Sequence, residues 1–223
     1  MTQTLLITGA SSGIGAATAR AAVKAGWQVA LLARSRDALE KLAAELGDAA
    51  LALPCDITER DQLRDAVGKT VERFRGLDAV YANAGKGCSS PGIEQGDPDD
   101  WHAMIHLNVL AMLTTAHATL PHLRKTKGHF VVTGSKAGRD HMKGSVYGAT
   151  KWFVQGLAGN LAEEMREWGG RCTLITPGMV DTPFFDEPKP DKIQPDDVAN
   201  AVVFALSQPR SADVREIHIM PSG

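Results

Sequence analysis

Residues 145–151 read SVYGATK and set Tyr147 and Lys151 four positions apart where a helix begins. On a helix that spacing puts both side chains on one face, about a turn apart. A phenol with an ordinary pKa of about 10 is a poor acid-base group at neutral pH, because a catalytic value lies near the working pH. A single ammonium about 4 Å away, at an effective dielectric of about 20, contributes up to about 4 kcal/mol, or roughly three pKa units. The pair therefore reads as a proton-transfer device in which Lys151 brings Tyr147 down to about 7. Ser135, in VVTGSKAG, stands close enough to hold a carbonyl or hydroxyl beside the phenol, a task that needs no pKa shift.

A second group of residues suits a phosphate. The run TLLIT leads directly into TGASSGIG, so Gly9, Gly13 and Gly15 surround the start of a helix, with Ser11, Ser12 and Ile14 between them. Gly9 permits a sharp turn, Gly13 lets a phosphate approach the backbone, and Gly15 allows close packing of helix on sheet. Free amides and the helix dipole then favour an anion there. The second apolar run ends in ALLARSR, where a reader of an unphosphorylated ribose would carry Asp or Glu. Arg34 instead fits a 2'-phosphate, and Ser12 adds a hydroxyl, so the expected cofactor is NADP(H) rather than NAD(H).

Two more run ends carry polar or small residues. LPCDIT brings Asp56 and Ile57, and YANAGKG brings Asn83, Ala84 and Gly85. Asp56 can accept from an adenine amino group, and the small NAG turn can let backbone lie against the adenosine ribose. Both also suit a helix cap or a tight turn.

These residues need a scaffold, and the chain supplies one by alternation. Apolar runs at 4–8, 28–33, 49–53, 78–82, 129–133, 171–176 and 216–220 alternate with helix-periodic segments at 13–25, 36–46, 59–74, 98–124, 146–168 and 195–207. Continuously apolar strands are covered on both faces. The expected architecture is α/β: one doubly wound Rossmann domain over residues 1–223, with a seven-stranded parallel sheet flanked by helices and ligands beyond the carboxyl ends of its strands. The Pro-rich stretch TPFFDEPKPDKIQP (182–195) lies between a strand and a helix, where a lid can lie.

Composition narrows the partners. With 24 Lys and Arg against 26 Asp and Glu, the charges are balanced and scattered, which disfavours nucleic acid and anionic membranes. No stretch approaches an apolar span of about 18 residues, and no signal peptide is evident. Cys55, Cys88 and Cys172 lack metal or redox spacing and are expected as reduced, packed thiols in the cytoplasm. His102 and His106 share a helix face without a third ligand, so no metal is expected.

In order along nearly the whole chain, TGASSGIG, CDIT, NAG, YGATK and PGMVDT resemble the motifs of the short-chain dehydrogenase/reductase family. The resemblance implies that Tyr147 is the acid-base catalyst, that Lys151 holds the nicotinamide ribose, and that Ser135 orients a small carbonyl or alcohol substrate. It implies that Asn108, in MIHLNVLAML, supports a water-linked proton path to the lysine. It also implies that Pro177, Gly178, Val180 and Thr182 border the nicotinamide, and that Gly9, Ile14 and Gly15 lie along the pyrophosphate. By the same likeness Trp152 and Phe153 face a subunit of a homodimer or homotetramer. An alternative is a sensor or scaffold that binds NADP(H) without turnover. One departure is a cationic loop with Lys136, Arg139, His141 and Lys143, which reads as solvated surface or, more sharply, as a site for an anionic or polar hydroxy substrate.

Overall fold

The computed structural model describes residues 2–88 and 92–222. Among the described residues seven strands form one wholly parallel sheet: β1 (Thr4–Thr8), β2 (Gln28–Ala33), β3 (Ala50–Pro54), β4 (Ala79–Ala82), β5 (His129–Thr133), β6 (Arg171–Pro177) and β7 (Glu216–Ile219). Their order across the sheet is β3-β2-β1-β4-β5-β6-β7. The order reverses between β1 and β4, which opens a crevice there at the strand ends.

The helices are α1 (Gly13–Lys24), α2 (Arg36–Leu46), α3 (Arg60–Phe74), α4 (Pro98–Ile105), α5 (Ala111–Thr126), α6 (Val146–Arg166) and α7 (Pro195–Ser207). Strand alternation divides the core in two. Leu5 and Ile7 of β1 pack with Ala19 of α1, Leu39 of α2 and Val202 of α7, whereas Leu6 faces Leu63 of α3, Leu123 of α5 and Val154 of α6. Burial on both faces is why the strands read as unbroken apolar runs.

Boundaries differ from the sequence reading by a residue or two, most often where a turn intervenes. Ala49 belongs to a 3-10 turn, Gly47–Ala49, so β3 starts at Ala50. The segment expected as one helix over 98–124 is continuous to Thr126, but α4 and α5 are joined by a π turn at His106–Leu110. Such a turn often marks a functional position in a helix. This combined helix is, by length and composition, apolar enough to span a membrane, contrary to the sequence expectation. Its residues Met104, Met112, Ala116 and Leu123 pack into this domain, while Ile105, Leu110 and Leu113 stand exposed.

Asn83 ties the crevice together. Its backbone amide donates to the Thr8 hydroxyl at 3.0 Å, and its side-chain amide reaches the carbonyls of Thr8 at 3.3 Å and Gly9 at 3.5 Å. The Thr133 hydroxyl bridges Asn83 Oδ1 at 3.1 Å and the buried Tyr81 hydroxyl at 2.8 Å. Three strand ends, β1, β4 and β5, are thereby fixed to one another.

One buried histidine makes stability depend on acid. His129 Nε2 lies 2.7 Å from Thr173 Oγ1, which itself donates to the Val214 carbonyl at 2.5 Å. The proton is therefore on Nε2, and the ring is neutral. Burial first, then the charge of Arg171, pushes its pKa down to about 3. The unfolded chain takes up this proton below about 6.5 and the folded one only near 3, so stability falls as pH drops through that window. By pH 4 the loss is on the order of 3 kcal/mol, at roughly 1.4 kcal/mol per unit. Urea unfolding of wild type and His129→Gln at pH 7 and pH 4 checks this: the variant should lose markedly less stability between the two. Equal losses would remove His129 from the account.

Candidate active site

A cleft of about 1300 Å³ opens at the carboxyl ends of the strands. It is larger than most single-ligand pockets, which span roughly 300–1,000 Å³. Of the residues singled out in the sequence, Gly9, Ser11, Ser12, Gly13, Ile14, Arg34, Asp56, Ile57, Asn83, Ala84, Gly85, Ser135, Tyr147, Lys151, Pro177, Gly178, Val180 and Thr182 all line it. Gly15 and Asn108 do not, and both act through their neighbours.

The glycine turn is shaped by close approach. Gly9 has φ +67°, and a Cβ on it would come within 2.9 Å of the Ala84 backbone. A Cβ on Gly15 would lie 2.2 Å from the Gly9 carbonyl oxygen, so this glycine lets α1 pack on the turn itself as well as above the sheet. Gly13, at φ +50°, faces the Thr182 side chain, whose methyl would sit 3.1 Å from an added Cβ. Ser12 occupies the N-cap of α1 without a side-chain cap bond, and the first turn carries no acidic residue. Amides and dipole are thus left facing the cleft, the arrangement an anion requires.

Arg34 is exposed at the cleft wall and forms no ion pair among the described residues. Asp56 does both things the sequence left open. Its Oδ1 accepts from Thr58 N at 3.0 Å and from Thr58 Oγ1 at 2.7 Å, closing a turn, while the residue still borders the cleft. Burial works against its ionisation, but the Thr58 bonds and the charges of Arg34 and His106 together hold its carboxyl below the ordinary value. Asn83 lines the cleft, yet its polar atoms are engaged in the strut between strand ends.

Tyr147 and Lys151 lie on the first turns of α6, started by Ser145, whose hydroxyl accepts from Gly148 N at 2.9 Å. The ammonium of Lys151 sits 5.8 Å from the centroid of the Tyr147 ring. It is buried and donates to the Thr133 carbonyl at 2.9 Å. Contrary to the sequence expectation, the phenol is not drawn toward 7. Burial pushes its pKa above 10, and the hydrogen bond with Ser135 offsets only part of this. The same burial pushes the ammonium down to about 8. A site dry enough to strengthen a charge–charge interaction first penalises each charge by itself.

Asn108 lies inside the π turn and is fully buried. Its Oδ1 accepts from Lys86 N at 2.9 Å, and its Nδ2 donates to Lys86 O at 2.9 Å and to Thr150 Oγ1 at 3.1 Å. A Cβ on Gly85 would lie 3.2 Å from Asn108 Oδ1 and 3.8 Å from Lys151 Nζ, so that glycine keeps open the gap between them. Asn108 therefore positions the wall beside the lysine.

The remaining expectations divide. Cys55 and Cys172 are buried, and burial pushes their thiols up to about 11 and about 12. Cys88 instead stands partly exposed on the cleft wall. Among the described residues no group of three or more His, Cys, Asp or Glu is placed to hold a metal. In the cationic loop, Lys136 pairs with Asp140, Arg139 pairs with Glu216, and His141 stacks on Trp152 at 5.5 Å. The sequence reading passed over Thr8, Thr133 and Phe184. A threonine ends both TLLIT and HFVVT, and a polar residue closing an apolar strand at the ligand edge was the available signal. Phe184, within the expected lid, rests its ring 5.6 Å from that of Tyr147.

Residues 3–193 match the family model described as short chain dehydrogenase. A curated serine 3-dehydrogenase of Agrobacterium fabrum is 36% identical, covering 99% of this chain and 94% of the relative. An alcohol dehydrogenase from the archaeon Thermococcus sibiricus, solved in complex with 5-hydroxy-NADP, is 33% identical with a TM-score of 0.92, covering 100% of this chain and 97% of that one. The closed form of a serine dehydrogenase complexed with NADP+ is 26% identical with a TM-score of 0.91, covering 98% and 95%.

Proposed function

Because the chain belongs to the short-chain dehydrogenase family, we propose that it is an NADP(H)-dependent oxidoreductase interconverting a carbonyl and a secondary alcohol of a small molecule. The observation that carries this reading is the convergence of Ser135, Tyr147 and Lys151 on one cleft with the glycine turn and an exposed Arg34. NADP-bound relatives support the same cofactor. The residues present fit it. The uncapped α1 N-terminus suits a pyrophosphate, Arg34 suits a 2'-phosphate, and no carboxylate follows Ala33 to compete. When bound, NADPH supplies the hydride that reaches the carbonyl carbon.

The protein's own part is to hold and protonate. Ser135 donates to the substrate oxygen, and Tyr147 gives its proton to that oxygen as charge develops there. A phenol with a raised pKa remains protonated at neutral pH and is still far more acidic than an alcohol, so this transfer runs downhill. Lys151, fixed by the Thr133 carbonyl, faces the phenolate left behind. In the direction of oxidation the same groups work in reverse.

Mixing the protein with NADPH and a panel of ketones, aldehydes and keto acids should give loss of nicotinamide absorbance with at least one of them. Tight NADPH binding with no turnover across the panel would favour a sensor. We further propose a cytoplasmic homodimer or homotetramer. Exposed Leu110, Leu113, Trp152 and Phe153 on α5, the π turn and α6 support burial against another copy. A monomeric mass by light scattering would oppose this.

A further inference from the structure

The reactive phenol has an apolar neighbour that the proposed chemistry does not use. Phe184 is 44% exposed, yet its ring tilts over that of Tyr147 at 5.6 Å and meets Phe185 edge-on at 5.3 Å. It lies in a notch left by a missing side chain, since a Cβ on Gly87 would come within 2.9 Å of its Cζ. The loop that carries it is tied at its base. Asp181 N donates to Ile193 O at 2.8 Å, Ile193 N donates to Met179 O at 3.2 Å, and Lys189 N donates to Asp181 Oδ1 at 2.7 Å. Around the same mouth stand Met142, Met179 and Met220, each between 41% and 54% exposed. Large apolar side chains left in water around a reactive centre point to an apolar occupant, and methionine adapts to irregular shapes.

Two of the cations at this mouth are paired, Lys86 with Asp100 at 2.5 Å and Lys136 with Asp140. Lys143 and Lys192 also line the cleft, and Asp186 stands with them. A substrate carboxylate needs a fixed, partly desolvated cation; Lys143 is exposed on a flexible stem, and of these two lysines only the half-buried Lys192 has that character.

From this arrangement we infer that the enzyme prefers ketones and secondary alcohols bearing an aryl or branched alkyl group, seated between Phe184 and the methionines, over hydroxy acids. Phe184 and Gly87 are then specificity determinants. The inference rests on the hydride-transfer reading above and goes beyond it.

The test compares kcat/KM for NADPH-dependent reduction of acetophenone with that for NADP+-dependent oxidation of L-serine and 3-hydroxybutyrate, each also run against 1-phenylethanol oxidation in the same direction. Wild type should favour 1-phenylethanol over both hydroxy acids by at least tenfold. Phe184→Ala should raise KM for acetophenone about tenfold with KM for NADPH unchanged, in line with the 10–200-fold worth of apolar pocket contacts. Gly87→Ala, which displaces the ring without removing it, should act in the same direction. Preferential turnover of the hydroxy acids, weakened by Lys143→Ala or Lys192→Ala and untouched by Phe184→Ala, would overturn this inference and leave the oxidoreductase reading standing. Failure of every substrate in a protein that binds NADPH would overturn both.

Discussion

Tyr147→Phe should lower kcat for carbonyl reduction about a thousandfold while the dissociation constant for NADPH changes by no more than a few-fold. The substitution removes one oxygen from a ring whose contacts with Phe184 are otherwise kept. Proton transfer by a positioned group is worth roughly 10²–10⁴ in rate, and Tyr147 is the group hydrogen-bonded to Ser135. Stopped-flow reduction and fluorescence titration of NADPH read the two quantities separately. Residual turnover within tenfold of wild type would exclude Tyr147 as the proton donor.

The pH dependence carries a sign that the structure dictates. Lys151 is held down to about 8 by burial, so it is an ammonium below that value and neutral above it. The phenol, pushed above 10, keeps its proton throughout. The kcat/KM for NADPH, which reports groups of the free enzyme, should therefore fall as pH rises through about 8 in the reducing direction. The loss reflects an ammonium no longer present to face the forming phenolate. In Lys151→Arg, whose charge persists, the fall should move out of the range between pH 7 and 10. A flat wild-type profile would mean that the ammonium does not assist the transfer.

Arg34→Asp should reverse cofactor preference, lowering kcat/KM for NADPH about a hundredfold and sparing NADH. A charge-assisted contact contributes about 1.5–3 kcal/mol, and repulsion from the new carboxylate beside Asp56 adds to its loss. At 1.4 kcal/mol per tenfold, two decades is the natural scale. Arg34 is exposed and free of any ion pair among the described residues, so the variant should fold normally. Unchanged discrimination between NADPH and NADH would show that the 2'-phosphate is read elsewhere.

Much of this protein was legible from local pattern. Unbroken apolar runs such as TLLIT and HFVVT specified buried parallel strands, because only a strand covered on both faces tolerates such a run. Glycines at 9, 13 and 15 announced a tight βα turn, and the structure gives each a steric reason to lack a side chain. The four-residue spacing of Tyr147 and Lys151 placed them on one helical face. These are short-range consequences of backbone geometry, and a sequence states them directly.

What the sequence alone determined, then, was the order of elements, the edge on which the ligand site opens, and the chemical types gathered there. Tertiary structure decided how those groups behave. It buried Lys151 and desolvated the half-buried Tyr147 beside it, so the phenol rose where a simple charge argument had it fall. It paired Arg139 of the cationic loop with Glu216 of β7, and it laid Phe184 over the Tyr147 ring in the space Gly87 leaves. Desolvation and pairing depend on residues distant in sequence and adjacent in space, and only the folded chain brings them together.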